Sequence, residues 1–273
     1  MSVLEFQRVS FSYPGGIQAL KDVSFSIEEG EFVALLGRNG SGKTTILQHI
    51  MNLLSPTEGT ILVGSESIQG KGPAYVSQTV GYVFQHPARQ MFLPTVWEEI
   101  AYGPKQQGIS ADEAKKKAYQ TLERIGILHL AEAYPKALSR GEIQKVAIGI
   151  ALALEPKVLI LDEPTSGQDG KATRDICNLL NQIHQEGTTI LLITHDMELL
   201  SETAARSIVM KEGEKVFDGL TKELFESSSC REWGLTLPVW LEIAHQIPEL
   251  SLVNQSQELV EKLVALKKGG NEK

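Results

Sequence analysis

A glycine-rich stretch near the N-terminus has the residue types and spacing of a phosphate-binding loop. Residues 37–44 read GRNGSGKT, which fits the pattern G-x-x-x-x-G-K-[ST]. Glycines let backbone N–H groups turn toward a phosphate without a Cβ in the way, and a following helix N-terminus adds partial positive charge. In this pattern Lys43 is expected to reach the β- and γ-phosphates of a nucleotide, and the Thr44 hydroxyl to bind Mg²⁺. The alternative is an ordinary glycine-rich turn between a strand and a helix.

A second candidate site lies where a strongly apolar stretch ends in two carboxylates. Residues 157–163 read KVLILDE, which predicts a buried strand followed by Asp162 and Glu163. An aspartate at the end of such a strand is placed to hold Mg²⁺, often through water. Glu163 projects in a different direction and can polarise an attacking water as a general base. The alternative is a pair of strand-end acids that face solvent, and the phosphate loop favours the hydrolytic interpretation.

The pattern of apolar residues indicates the elements that position these groups. Residues 3–13 and 23–27 alternate apolar and polar side chains, as half-buried strands do. Further strands are predicted from short apolar runs at 31–37, 79–84, 157–162 and 188–194. Helical length and spacing occur at 44–54, 110–125, 141–154 and 171–185. Strands that alternate with helices predict an α/β domain with a mostly parallel sheet.

Composition and length limit the class of protein. The chain has 273 residues, of which 42% are hydrophobic, so it can form a full core. Its net charge of −8 argues mildly against a protein that coats nucleic acid. No signal peptide is visible, and the longest apolar run, 146–154, is too short to span a bilayer. Cys177 and Cys230 form no spacing pattern, which favours a reduced cytoplasmic setting.

The last fifty residues differ in pattern from the rest. A polar stretch at 226–230 reads as a loop, and residues 235–248 and 257–268 are amphipathic and predict helices. The end, 267–273, is expected to be frayed. We therefore expect a core domain at 1–222 and a small C-terminal helical extension at 223–273.

Taken in order, these motifs resemble the nucleotide-binding subunits of ATP-binding cassette (ABC) transporters over residues 1–222. The resemblance implies an ABC-type fold with a mostly parallel core sheet, an antiparallel β subdomain and a helical signature subdomain. It implies that Tyr13 stacks on adenine and that Gln85 contacts Mg²⁺ and the attacking water. His195 would hold the γ-phosphate and orient that water. Tyr13 could instead be a strand-surface aromatic, and Gln85 and His195 could be polar caps of strand ends.

The resemblance assigns the phosphate loop as a whole to ATP and Mg²⁺. The expected ATP ligands there are Gly37, Asn39, Gly40, Ser41, Gly42, Lys43, Thr44 and Thr45. The expected Mg²⁺ ligands are Thr44, Gln85 and Asp162.

Residues 138–142 read LSRGE and align with the family signature Leu-Ser-Gly-Gly-Gln. Locally, Ser139 and Glu142 have the spacing of a capping box at a helix start. In the family this segment covers the γ-phosphate bound by a second subunit, so the Ser139 hydroxyl and the Gly141 N–H are expected to complete the partner's site. Arg140 stands where the family has glycine. The sequence leaves open whether Arg140 faces the ATP held by the partner subunit or the surface that would couple the chain to a membrane protein.

Asp169 matches the family's D-loop, although it could simply cap the following helix. The segment reads SGQD where Ser-Ala-Leu-Asp is usual, so Gln168 departs from the pattern. Gly170 stands where proline is common.

The region after Gln85 narrows the resemblance to the ATPases of energy-coupling factor (ECF) transporters, including the cobalt and nickel importers. The residues that carry it are Gln90, Phe92 and Thr95-Val96, together with GLTLPVWLEIA at 234–244. The resemblance implies a second ATPase subunit, identical or paralogous, a transmembrane coupling protein and a substrate-binding membrane subunit. It places the chain peripherally on the cytoplasmic face of the membrane, with a dimer-supporting extension and with vitamins or transition-metal ions as transported substrates.

Two alternatives are weighed against the ECF interpretation. One is the ATPase of an ordinary ABC importer or exporter. The other is a soluble ABC ATPase that acts in DNA repair or translation, which the sequence disfavours because it shows neither a long coiled coil nor a second cassette. No nucleic-acid partner is expected.

Overall fold

The structure, a computed structural model, describes residues 1–247, 250 and 259–264. The strands are β1 (Ser2–Ser12), β2 (Gln18–Glu28), β3 (Phe32–Leu36), β4 (Glu58–Val63), β5 (Glu66–Ser67), β6 (Val80–Val83), β7 (Val158–Asp162), β8 (Thr189–Ile193), β9 (Arg206–Lys211) and β10 (Glu214–Leu220). The helices are α1 (Lys43–Ile50), α2 (Pro73–Val76), α3 (Val96–Gln106), α4 (Ala111–Arg124), α5 (Arg140–Leu152), α6 (Gly170–Gln185), α7 (Met197–Thr203), α8 (Thr221–Glu226) and α9 (Val239–Gln246).

The central sheet has six strands in the order β10-β9-β3-β8-β7-β6. Strands β6, β7, β8, β3 and β9 run parallel, and β10 is an antiparallel edge strand. Every residue of β3 and β8 is buried, as expected for parallel strands covered on both faces. The predicted α/β fold with a mostly parallel sheet is confirmed. The loops that follow the parallel strands of this central sheet all meet at one edge of it, where the candidate site lies.

A smaller antiparallel sheet, with strand order β2-β1-β4-β5, covers one face of the central sheet. Its inner face includes Phe6 and Phe25, whose rings stack at 4.6 Å between centroids. These side chains share one core with Val33 of β3 and with Ile46 of α1. The antiparallel sheet therefore packs directly over the helix that follows the phosphate loop.

The opposite face of the central sheet is covered by helices. Helices α3, α4 and α5 pack against one another, and their buried side chains, such as Ile100, Leu122 and Val146, join Leu159 of β7 in a second core. Capping boxes fix the starts of α3 and α5, through Thr95 with Glu98 and through Ser139 with Glu142. The predicted capping box at Ser139 is therefore present.

The C-terminal part packs on the same core as the central sheet. Buried Phe225, Cys230, Leu235 and Trp240 belong to the core of the helical face. The expected boundary between 222 and 223 falls within α8. Of the predicted helix at 235–248, residues 239–246 are observed as α9, whereas residues 235–238 are not helical. Residues 259–264 are helical, and the rest of the predicted helix at 257–268 and the predicted frayed end lie outside the described residues. Within the described part of the chain, no helix combines the length and apolar character needed to cross a membrane.

Candidate nucleotide-binding and hydrolysis site

The loop between β3 and α1 has a backbone that requires glycine. Gly37, Gly40 and Gly42 have φ angles of 139°, 82° and 110°. A Cβ on Gly37 would lie 2.3 Å from the carbonyl oxygen of Met210, and one on Gly42 would lie 2.9 Å from that of Ala19. The loop is therefore wedged between β9 and β2 in a conformation that other residues would strain.

Two polar groups of this loop are suited to an anion. The Ser41 hydroxyl oxygen is buried and has no hydrogen-bond partner among the described residues. The Lys43 ammonium donates to the carbonyl oxygens of Gly37 at 2.6 Å and Arg38 at 3.1 Å. Burial lowers the pKa of Lys43, which the carboxylates of Glu163 and Asp162 partly offset. Since an unpartnered buried hydroxyl is unfavourable, a phosphate oxygen that accepts from Ser41 and Lys43 fits this cradle.

A cavity of about 660 Å³ opens between the loop and the antiparallel sheet. Tyr13 lies at its rim, where its hydroxyl donates to Gln48 Oε1 at 3.0 Å and lies 3.2 Å from Thr45 Oγ1. Its ring also packs edge-on against Phe11. The predicted site residues that line the cavity are Tyr13, Asn39, Gly40, Gly42, Lys43, Thr44, Thr45, Gln85, Asp162 and Glu163. Gly37, Ser41 and His195 line an adjoining cavity of about 770 Å³, which Gln85 and Glu163 also border.

Asp162 ends β7 and points into this region beside Lys43. The hydroxyl of Tyr82 donates to Asp162 Oδ2 at 3.1 Å. Burial raises the pKa of Asp162, although the hydrogen bond from Tyr82 and the Lys43 ammonium act in the opposite direction. Tyr82 was not singled out from the sequence. The sequence alone carried no signal for it, because Tyr82 is brought near Asp162 only by the pairing of β6 with β7, in which it lies opposite Ile160.

Glu163 and His195 lie against each other at the ends of β7 and β8. His195 Nδ1 lies 2.8 Å from Glu163 Oε2, and the Glu163 N–H donates to the carbonyl of Ile193 at 2.8 Å. The φ of Glu163 is 51°, a left-handed conformation that costs about 1 kcal/mol or more in a residue with a Cβ. The Glu163 side chain is 13% exposed, and that of His195 is 74% exposed. This strained backbone aims a nearly buried carboxylate at the histidine and at the phosphate loop.

The signature residues lie in a different place. Ser139 and Gly141 line a cavity of about 690 Å³ together with Gln168 and Asp169, and Lys43 is not among the described residues around it. Asp169 Oδ1 accepts from the N–H groups of Lys171 at 3.0 Å and Ala172 at 2.9 Å. Within this chain Asp169 thus caps α6, and the signature is separated from the phosphate loop.

Arg140 contacts the chain's own D-loop. Its Nη1 donates to the carbonyl oxygen of Gly167 at 3.1 Å, and a Cβ on Gly167 would lie 2.8 Å from that nitrogen. Gln168 Nε2 donates to the carbonyl of Pro164 at 2.9 Å. Arg140 and Gln168, which both depart from the family pattern, therefore stabilise the same loop. The Arg140 guanidinium is hydrogen-bonded within its own chain.

The fold and the site together define a P-loop domain that binds and hydrolyses a nucleotide. A model of the ABC transporter family matches residues 20–166. The energy-coupling factor transporter ATP-binding protein EcfA of Methanosphaera stadtmanae is 38% identical over 243 residues, which cover 88% of this chain and 87% of that protein.

Two solved structures have the same fold. One is cbiO1 of Clostridium perfringens, part of the ABC transporter complex cbiONQ, with a TM-score of 0.80 and 34% identity over 90% of this chain and 96% of its own. The other is the ATP-binding cassette MJ0796, solved as a dimer in a post-hydrolysis state with ADP and Pi, with a TM-score of 0.70 and 30% identity over 80% of this chain and 98% of its own. The chain belongs to the ABC transporter family and is an ATP-hydrolysing cassette of that family.

Proposed function

We propose that the chain energises an ECF-type importer by closing as a dimer on ATP and reopening after hydrolysis. The observation that carries this proposal is the separation of the signature cavity from the cavity around Lys43. A single chain has both halves of an ATP site but cannot bring them together, so a second subunit has to complete each one. Similarity to EcfA and to cbiO1 supports the ECF assignment.

The chemistry at one site follows from the geometry around the phosphate loop. ATP draws the Lys43 ammonium from the carbonyl oxygens of the loop to its β- and γ-phosphates, and Ser41 donates its unused hydroxyl. Thr44, Gln85 and Asp162 are the residues that would hold Mg²⁺, which would neutralise charge on the phosphate oxygens. The base Glu163 takes a proton from the attacking water, while His195 orients the γ-phosphate and that water.

The second subunit contributes the N-terminus of α5. Two chains arranged head to tail place Ser139 and Gly141 of each over the γ-phosphate held by the other. A helix N-terminus offers N–H groups and a favourable dipole to an anion. The dimeric structure of the related MJ0796 cassette supports such an arrangement. The partner is a second copy of this chain or a paralogue, and the 223–273 extension supports the dimer.

An aromatic surface in the region that follows Gln85 suits a membrane partner. Phe92 is 64% exposed and Tyr102 is 42% exposed, and their rings contact edge-on at 5.2 Å between centroids. The buried carboxylate of Glu99 accepts from the N–H of Leu93 at 2.6 Å and thereby fixes the loop that carries Phe92. We assign this surface to the coupling helices of a transmembrane protein. The transported vitamin or metal ion binds to another subunit, so this chain is peripheral on the cytoplasmic face.

Purification from native membranes tests the proposal. A tagged chain should bring down a polytopic coupling protein and a separate small substrate-binding membrane protein. Recovery of a conventional pair of transmembrane subunits would instead assign the chain to an ordinary ABC importer or exporter. Recovery of ribosomes or DNA without a membrane protein would overturn the transporter assignment.

A further inference from the structure

The C-terminal segment forms one wall of the catalytic cavity. The cavity of about 770 Å³ is bordered on one side by the phosphate loop, Gln85, Glu163 and His195, and on the other by residues 232–236. We call residues 230–246 the C-terminal strap. Its position raises the question of whether it only covers the core or also positions the groups that it faces.

The first contact of the strap is with the phosphate loop. Gly234 has a φ of 76°, and a Cβ on it would lie 2.1 Å from Cδ and 2.4 Å from Cγ of Arg38. The Arg38 side chain therefore lies directly on the Cα of Gly234. The carbonyl oxygen of Arg38 is one of the two that hold the Lys43 ammonium. Gly234 therefore packs on a residue whose own backbone helps to position Lys43.

The second contact is with the helix that follows His195. The N–H of Val239, at the start of α9, donates to Glu198 Oε1 at 2.9 Å. Glu198 lies in the first turn of α7, three residues after His195. N–H groups in the first turn of a helix have no partner within the helix, so the carboxylate satisfies a donor that would otherwise be free. This hydrogen bond connects the strap to the element that carries the histidine.

The strap is also attached to the rest of the protein at other points along its length. Cys230, Leu235 and Trp240 are buried in the core. Lys211 Nζ pairs with Glu232 at 2.9 Å, and the ring of Trp233 lies 5.7 Å from that of Phe217. A segment that is anchored at several points transmits displacement better than a loop that is held at its ends only.

We propose that the strap is a positioning element of the hydrolysis site. It holds the phosphate loop through the contact of Gly234 with Arg38, and it holds helix α7 through the hydrogen bond of Val239 with Glu198. The inference rests on the roles proposed for Lys43 and His195. The two contacts have separable kinetic effects, because the Gly234 contact acts on ATP binding and the Val239 contact acts on the hydrolytic step.

The Gly234 contact is tested by Gly234→Ala in the full chain. Crowding against Arg38 should raise the KM for ATP on the order of tenfold with kcat little changed, as expected for a small misplacement of binding groups. Gly187→Ala is the matched control, since Gly187 has a φ of 97° but no described atom within 4 Å of its Cβ position. In an Arg38→Ala background the Gly234→Ala change should have no further effect on KM. Equal KM values for the Gly234 and Gly187 variants, or an undiminished effect without Arg38, would overturn this contact.

The Glu198 contact is tested by two substitutions. Glu198→Ala should lower kcat on the order of tenfold with little change in KM, because His195 loses its support. Glu198→Gln keeps an oxygen that accepts from Val239 and should restore most of kcat. If both variants only lower the melting temperature, or if both have the same kcat, the strap is merely structural. A His195→Ala measurement in the same assay separates failure of this inference from failure of the proposed hydrolysis site, since it tests His195 independently of the strap.

Discussion

At the scale of single residues, Glu163 has the geometry that the proposed hydrolysis requires. It has a left-handed backbone, a side chain that is almost buried, and a contact of 2.8 Å with His195. A residue with a Cβ keeps this backbone conformation only when its surroundings enforce it, and here the Glu163 N–H is bonded to Ile193. The combination is what a general base needs, because the carboxylate is fixed before ATP arrives.

Replacing this carboxylate should separate binding from hydrolysis. Glu163→Gln keeps the size of the side chain but removes its basicity, so we expect ATP hydrolysis to fall by about 100-fold or more. ATP binding should persist, and the variant should elute as a dimer in gel filtration with ATP. Phosphate release measures the rate. Turnover at the wild-type rate would remove Glu163 from the role of base.

Arg140 provides a second test at this scale. Arg140→Gly introduces the family's residue and removes the hydrogen bond to Gly167. We expect ATP hydrolysis to fall by roughly two- to tenfold, which corresponds to the net free energy of one hydrogen bond. Gly167→Ala should have a similar effect, since its Cβ would crowd the same guanidinium. Unchanged ATPase and transport rates in Arg140→Gly would show that the contact is dispensable.

The sequence predicted much of the site at the scale of residues because the motifs are local. The phosphate loop and the Asp162-Glu163 pair each lie within a few positions of the elements that present them. Arg140 could not be placed in this way, because its partner, Gly167, lies 27 positions along the chain. Tyr82 was missed for the same reason: its hydrogen bond to Asp162 depends on the order of strands in the sheet.

At the scale of elements, helices α4 and α5 both begin with a serine N-cap, but they present these starts to different surroundings. Ser110 caps α4 by accepting from the Glu113 N–H at 3.3 Å, and Ser139 caps α5 by accepting from the Glu142 N–H at 3.4 Å. Only the start of α5 lines the signature cavity with Gly141. The two serines therefore form a matched pair for separating helix stability from function.

Removing each cap should produce this separation. Ser110→Ala and Ser139→Ala should each lower the free energy of unfolding by about 1 kcal/mol, the usual contribution of an N-cap serine. Denaturant titration measures this loss. Only Ser139→Ala should also reduce ATP hydrolysis, because the proposed function assigns the Ser139 hydroxyl to the phosphate held by the partner subunit. Equal ATPase rates in the two variants would limit Ser139 to the role of a cap.

Elements with strong apolar patterns were predictable, and those that depend on their partners were not. Strands β3, β7 and β8 are continuous apolar runs, so they were expected where they occur. The pairs β4–β5 and β9–β10 were not predicted, because they contain several polar residues and are defined by pairing with neighbouring strands within each sheet. The helix expected at 44–54 ends at Ile50, because Asn52 takes a left-handed φ of 54° that terminates it.

At the scale of the whole molecule, the main feature is that one chain holds two candidate half-sites at separate places. The cavity around Lys43 and the cavity around Ser139 share no described residue. In a symmetric dimer the two kinds of half-site would pair across the interface, and each chain would contribute to both ATP sites.

A mixing experiment tests this pairing. Lys43→Ala and Ser139→Ala chains should each be nearly inactive alone, since each spoils both sites of its homodimer. A mixed dimer retains one intact site, so an equimolar mixture should recover about a quarter of wild-type ATPase activity if chains pair at random and sites act independently. Lys157→Ala, which removes only a surface pair with Glu29, is the control. Lack of recovery in a preparation that dimerises with ATP would contradict the shared site.

The exposed rings of Phe92 and Tyr102 also affect how the chain behaves before it binds its proposed membrane partner. On the proposed function this aromatic surface is covered by the membrane partner, whereas a newly made chain presents it to water and to other proteins. Copies made in excess of their partner would therefore be the ones most exposed to aggregation and to the cell's quality control. On the proposed function, balanced synthesis of this chain and its membrane protein would keep the number of copies with an uncovered aromatic surface small.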